Sequence, residues 1–152
     1  MEKYLFAKAA LQIQKPIAEV FEAIIDPQKM SNYFISKSTG RLETSNIVKW
    51  SFLEFEGDFP VEAKEIQPFS YISFDWSGGT DDMLVEIFLE PRKNNSTVVR
   101  IKERKMNVDD NGIQQAIGQS EGWANFLACL KAYLEYGINL RKGAFDFMRD
   151  NE

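Results

Sequence analysis

Two carboxylates stand where the residue pattern could make them chemical. Glu54 continues the alternating apolar face Val48, Trp50, Phe52, and Glu103 continues the face Val99, Ile101. A carboxylate turned inward at either place would be partly desolvated, and desolvation raises its pKa toward that of an acid/base group. The plainer reading puts both at strand ends in water. Few other groups could do chemistry. The chain has no histidine, which removes the commonest general base, the Ser-His-Asp and Cys-His arrangements and histidine metal sites together. One cysteine without histidine leaves no zinc site of the usual kind. That cysteine, Cys129, lies at the flank of a helical apolar stripe and reads as a small buried apolar group. Asp109-Asp110-Asn111-Gly112 looks like part of a calcium loop, with Glu121 twelfth from Asp110. Its glycine is misplaced and alternate oxygens are missing, so it reads as a turn with Asn111 and Gln114 forming a capping box. No catalytic residue, metal or cofactor is expected, and the pattern argues against an enzyme.

Rings are the larger resource. Twelve Phe, five Tyr and three Trp in 152 residues must fill space or line a pocket. Trp50, Phe52, Phe59, Val61, Phe74 and Trp76 alternate with polar residues, so they share the inner face of a sheet. Trp123, Phe126, Leu127 and Leu130 recur at the i, i+3, i+4, i+7 spacing of a helix with one buried stripe. These ten residues are the candidate ligand-binding set. A curved sheet and a helix cannot mesh along their whole length, so a gap can remain at one end. A ring-lined gap with a few polar groups is the usual form of a small-molecule site. The alternative is a closed core at crystal density. A buried Trp needs a partner for its N–H, so one of these indoles could orient a polar ligand atom.

The elements that must position those residues follow from period. Residues 3–14 alternate, placing Leu5, Ala7, Ala9, Leu11 and Ile13 on one face of a first strand. Pro16 opens a helix with the stripe Ile17, Val20, Phe21, Ile24, Ile25. Asp26 as N-cap and Pro27 as first residue start a second, short helix bearing Met30, Tyr33 and Phe34. After Ser38-Thr39-Gly40 a short strand is expected around Arg41 to Glu43. From Ile47 to Met106 the period is two, broken by turns at Glu56-Gly57-Asp58, Pro68, Ser77-Gly78-Gly79 and Asn94-Asn95-Ser96. Met83 to Leu89 and Thr97 to Met106 are the last strands. Lys102-Glu103-Arg104-Lys105 reads as a solvated strand edge, where charge blocks edge pairing. The long amphipathic segment runs from Ile113 to Gly137. Gly118 and Gly122 mark either a true start nearer Ser120 or a close approach to the sheet. The tail beyond Gly137 is partly apolar, with Phe145, Phe147 and Met148.

Composition bounds the rest. The length suits one domain over residues 1–152, with 137–152 as a C-terminal extension. The net charge of −5 with scattered basic residues disfavours nucleic acid. No apolar run approaches the ~20 residues of a membrane helix, so no membrane insertion is expected. A single cysteine fits a reducing cytoplasm.

The order strand, two short helices, about six antiparallel strands and a long helix resembles the helix-grip fold of START-like (Bet v 1-like) proteins. Within that superfamily the chain is similar to the domain named after the activator of Hsp90 ATPase. The matching pieces are KPIAEVFEAIIDPQKMSNYF, Phe74-x-Trp76 after Pro68, TVVRIKE, and the Gly122-Trp123-x-x-x-Leu127-x-x-Leu130-x-x-x-Leu134-Glu135 signature. The similarity spans roughly residues 5–137. It implies an α+β fold, a curved antiparallel sheet wrapped around a long C-terminal helix, with a cavity between them. It also implies three functions: binding of a small apolar or amphipathic molecule, contact with an Hsp90-like chaperone, or cyclase- or hydrolase-like chemistry run by carboxylates. The missing histidine departs from the cyclase branch, and the lone domain departs from the eukaryotic co-chaperone.

Overall fold

A computed structural model describes residues 3–78 and 83–149. Strand β1, Leu5–Ile13, buries Ala7 and Ile13. Pro16 takes the N-cap position of α1, Ile17–Ile25, which turns Val20, Phe21, Ile24 and Ile25 into the core. Asp26 caps α2, Pro27–Met30, as the sequence predicts: its Oδ1 accepts the Gln28 N–H at 2.9 Å. Just beyond α2, Tyr33 is fully buried and its hydroxyl donates to the Ala23 carbonyl at 2.6 Å. That bond locks the corner that drives Phe34 inward.

The next strand differs from expectation. Pairing occurs at β2, Lys37–Ser38, and not at Arg41 to Glu43. The chain meets its neighbour before Gly40, with Ser36 N–H donating to Ser51 O at 2.8 Å and Thr39 N–H to Lys49 O at 3.1 Å. Arg41 then turns back to Glu22, 2.7 Å away, and Leu42 drops into the core. Strands β3 (Ile47–Ser51), β4 (Asp58–Gln67), β5 (Tyr71–Asp75), β6 (Leu84–Arg92) and β7 (Ser96–Met106) complete one antiparallel sheet in the order β1-β7-β6-β5-β4-β3-β2. Alternation buries Val48, Trp50, Val61, Ala63, Ile72, Phe74, Val85 and Ile87. Gly78 has the positive φ (84°) of a turn glycine, and Gly79 lies outside the described residues. Asn94 and Asn95 adopt left-handed backbone between β6 and β7, which asparagine tolerates.

Lys102 to Lys105 is no sheet edge. β7 lies between β1 and β6, Lys102 rests over the Phe6 ring at 4.2 Å, and Glu103 points inward with no exposed surface. The alternation that carries Val99 and Ile101 inward carries Glu103 with them.

Helix α3, Asp110–Tyr136, starts earlier than Ser120, and its N-cap is Asp109, not Asn111. The Asp109 carboxylate accepts the Gly112 N–H at 2.7 Å. A Cβ on Gly112 would lie 1.6 Å from the Asn107 carbonyl oxygen, so this turn requires glycine. The stripe Trp123, Phe126, Leu127, Leu130 is buried with Cys129. The helix also covers the edge of β1. Ser120 accepts the Lys8 N–H (3.1 Å), Glu135 accepts the Gln14 N–H (2.8 Å), and Lys131 donates to the Gln12 carbonyl (2.8 Å). Backbone groups that would offer a pairing edge are thereby used. Gly137, at φ 67°, closes the helix. Turns then lead to a 3-10 turn, Asp146–Met148. Among the described residues no helix is long and apolar enough to cross a membrane.

Candidate functional site

The centre of the sheet–helix sandwich is filled. Phe34 packs edge-on against Trp50 (5.6 Å between centroids) and Phe126 (4.8 Å), and Trp50 against Phe74 (5.2 Å). The space between these rings holds no water-sized void. Of the ten ring and aliphatic residues singled out by sequence, Trp50, Val61, Phe74, Phe126, Leu127 and Leu130 belong to this packed core. Among the described residues the buried Trp50 Nε1 has no hydrogen-bond partner.

The other four, Phe52, Phe59, Trp76 and Trp123, line a cleft of about 500 Å³ at one end of the sandwich. One wall is the β3–β4 hairpin with Phe55, and Phe34 stands at the back. The opposite wall is one face of α3: Gly118, Gln119, Gly122 and Asn125. Among the described residues nothing lies within 4 Å of a Cβ built on Gly118 or Gly122. These glycines border open space, so a close approach to the sheet is not their reason. The rim is the tail, through Arg141, Phe145, Phe147 and Met148.

Both singled-out carboxylates belong to this end, and neither sits in water. Glu103 accepts three hydrogen bonds: Trp76 Nε1 to Oε2 at 2.7 Å, Trp123 Nε1 to Oε1 at 2.7 Å, and Gln119 Nε2 to Oε1 at 2.9 Å. Burial pushes its pKa up, and the three donors pull partly against that. Glu54 is 7% exposed and paired with Arg141. The Arg141 guanidinium lies over the rings of Phe145 (4.6 Å), Phe34 (5.4 Å) and Phe52 (5.7 Å), a placement worth about 0.5–2 kcal/mol per ring contact. This cluster separates the aromatic cleft from a second, more polar one of about 720 Å³ beside Ser31, Asn139 and Lys142. Sequence reasoning found the indoles and the carboxylates but missed Gln119, Arg141 and the tail rings as cleft walls. The apolar run Ala144, Phe145, Phe147, Met148 was the available signal. Burial lifts the Cys129 thiol pKa, which keeps it a thiol. Among the described residues no three His, Cys, Asp or Glu side chains gather as a metal site.

The family model described as activator of Hsp90 ATPase homolog 1-like protein matches residues 14–135. The chain belongs to this family. Its members' fold recurs in solved structures. The Staphylococcus saprophyticus protein SSP2350 is 28% identical over 90% of this chain and 96% of its own, with a TM-score of 0.79. The Aha1 dimer from Colwellia psychrerythraea is 18% identical over 88% and 98%, with a TM-score of 0.72. DynU16, from the dynemicin biosynthetic locus, is 21% identical over 88% of this chain and 48% of its own, with a TM-score of 0.75. The last two likenesses are of fold alone. No curated protein matches in sequence. The family match ends at residue 135, so the tail that rims the cleft lies beyond the matched span.

Proposed function

We propose that the chain binds one small apolar or amphipathic molecule in the aromatic cleft and does not convert it. The observation that carries this is the cleft itself. Its volume of about 500 Å³ falls within the range of roughly 300–1,000 Å³ typical of ligand pockets. Its walls are rings from five separate segments, with a few polar groups between them. The resemblance to START-like proteins supports the same reading. Glu103 serves here as the anchor of the wall. Three donors already occupy it, and it has no exposed surface, which argues against a general base in a cyclase- or hydrolase-like reaction.

The test uses the fluorescent apolar probe N-phenyl-1-naphthylamine. Gly122→Phe fills the cleft from a position where a side chain meets open space. The expected result is probe uptake by the wild type and its loss in Gly122→Phe at an unchanged unfolding midpoint. Undiminished uptake by the variant overturns the assignment. The family name supports a second reading, in which the surface engages an Hsp90-like chaperone. A rise in Hsp90 ATPase rate on adding the protein is its expected sign, and an unchanged rate removes it.

A further inference from the structure

We infer that the cleft selects guests carrying a positive charge on an aromatic or apolar body, such as an aryl-alkyl ammonium, over neutral and anionic guests of the same shape. This rests on the cleft being the binding site proposed above, and it names the ligand class.

Glu103 is the reason. It is fully buried, it forms no ion pair among the described residues, and both indoles that wall the cleft donate to it. Every contact it receives comes from a donor, so the geometry fits the ionised carboxylate. A negative charge therefore sits one hydrogen bond behind the cleft wall. Trp76 and Trp123 turn their N–H edges toward that charge. Their rings stand 5.3 Å apart, tilted by 33°. An indole face is the best of the aromatic surfaces for a cation, and an anion bonded to its N–H edge makes the ring still richer in electrons. Phe52 and Phe59 supply further ring surface, 5.8 Å from each other.

The remaining charges at the cleft agree. Glu121 adds a second carboxylate at the rim. Arg141, the one cation among the described lining residues, is tied to Glu54 and stacked on Phe145. An anionic guest would have to break that pair and then face Glu103 and Glu121. A cationic guest breaks nothing.

Titration calorimetry with three guests on one ring system tests this: 2-naphthylmethylammonium, 2-naphthylmethanol and 2-naphthylacetate. The ammonium is expected to bind about ten-fold tighter than the alcohol, with the acetate weakest. The advantage is expected to persist when the salt concentration is raised, because Glu103 is fully buried and buried charges are screened little. Glu103→Gln is expected to remove it, read as the ratio of the ammonium and alcohol affinities so that a loss common to both guests does not count. Should Glu103→Gln fail to fold, the salt series on the wild type decides: an advantage that high salt abolishes belongs to exposed rim charges and overturns the role of Glu103. An alcohol that binds as well as the ammonium, or an advantage that Glu103→Gln leaves intact, overturns the charge selection and leaves the cleft assignment standing. Tightest binding by the acetate overturns it in favour of Arg141. Binding of none of the three sinks both proposals.

Discussion

The centre of this molecule and its open end are built from the same material and behave differently. At the centre, Trp50 and Phe126 meet Phe34, Phe74 packs on Trp50, and no water-sized void survives. At the end, Phe52, Phe59, Trp76 and Trp123 stand around about 500 Å³ of space. Residue type does not separate the two. At the centre, the turn after α2 delivers the Phe34 ring between sheet and helix. At the end, α3 presents Gly118 and Gly122, which have no side chain to offer, and the tail closes much of the rim. A cavity in such a fold is made by what is withheld from it.

The contrast can be broken or sharpened by substitution. The largest effect is expected in the packed centre, where Phe126→Ala should cost about 3–5 kcal/mol. Phe59→Ala, at a residue 36% exposed, should cost about 1 kcal/mol or less. Urea unfolding measures both, and equal losses would erase the distinction. Glu103→Ala comes next. It leaves the Trp76 and Trp123 N–H groups without an acceptor, at about 1–3 kcal/mol each, offset in part by the removal of a buried charge. Loss of the shifted indole N–H signals in NMR should accompany the drop.

The helix glycines should give opposite signs. Gly112→Ala drives a Cβ into the Asn107 carbonyl and should destabilise by about 1–3 kcal/mol. Gly122→Ala meets open space and should stabilise α3 by up to about 1 kcal/mol. A destabilised Gly122→Ala would mean the cleft is narrower than drawn. At the rim, Arg141→Met strands Glu54 without its cation. The expected cost lies between the about 1 kcal/mol of an exposed pair and the about 3 kcal/mol of a buried one. Faster amide exchange confined to residues 139–149 is the diagnostic readout, since a uniform increase would tie the tail to the core.

The smallest effect is in the pH profile. Burial alone would raise the Glu135 pKa, but the Gln14 N–H and Lys131 outweigh it and the net shift is downward. Its contribution is present above the ordinary glutamate pKa and is lost as pH falls through the lowered value. Glu103 is shifted the other way, by burial. Its folded form suits the protonated state better than the unfolded chain does, so stability declines as pH rises from the ordinary glutamate range through the raised value. Glu103→Gln should flatten that upper decline and leave the acid limb unchanged. An upper limb that persists in the variant would assign the slope to another group.

The fold was legible because its signals are local. Period two from Ile47 to Met106, the Asp26-Pro27 helix start and the Trp123 to Leu130 stripe each survive in the structure. The misplacements are local competitions decided from outside. Asn111 is as good a cap by type as Asp109, but the Asn107 carbonyl crowds position 112 and sets which turn forms. Arg41 to Glu43 has strand-like residues, yet Glu22 on α1 claims Arg41. The candidate site was half legible. Trp76 and Trp123 stood out as rings, and Glu103 as an inward position. Their bonding to one another joins residues 27 and 20 positions apart, a distance over which no periodicity runs.

Residue pattern by itself determined that a seven-stranded sheet would face a long helix with rings between, because alternation and helical spacing are properties of neighbouring residues. Tertiary structure alone decided which rings close and which stand apart, and where each charge lies. Phe34 comes from the turn after α2 into the centre, Arg141 comes from the tail to Glu54, and Glu103 becomes a buried anion only when two indoles from different elements converge on it. Filling a gap or burying a charge depends on the volume and the dipoles supplied by every surrounding segment, and those meet only in the folded molecule.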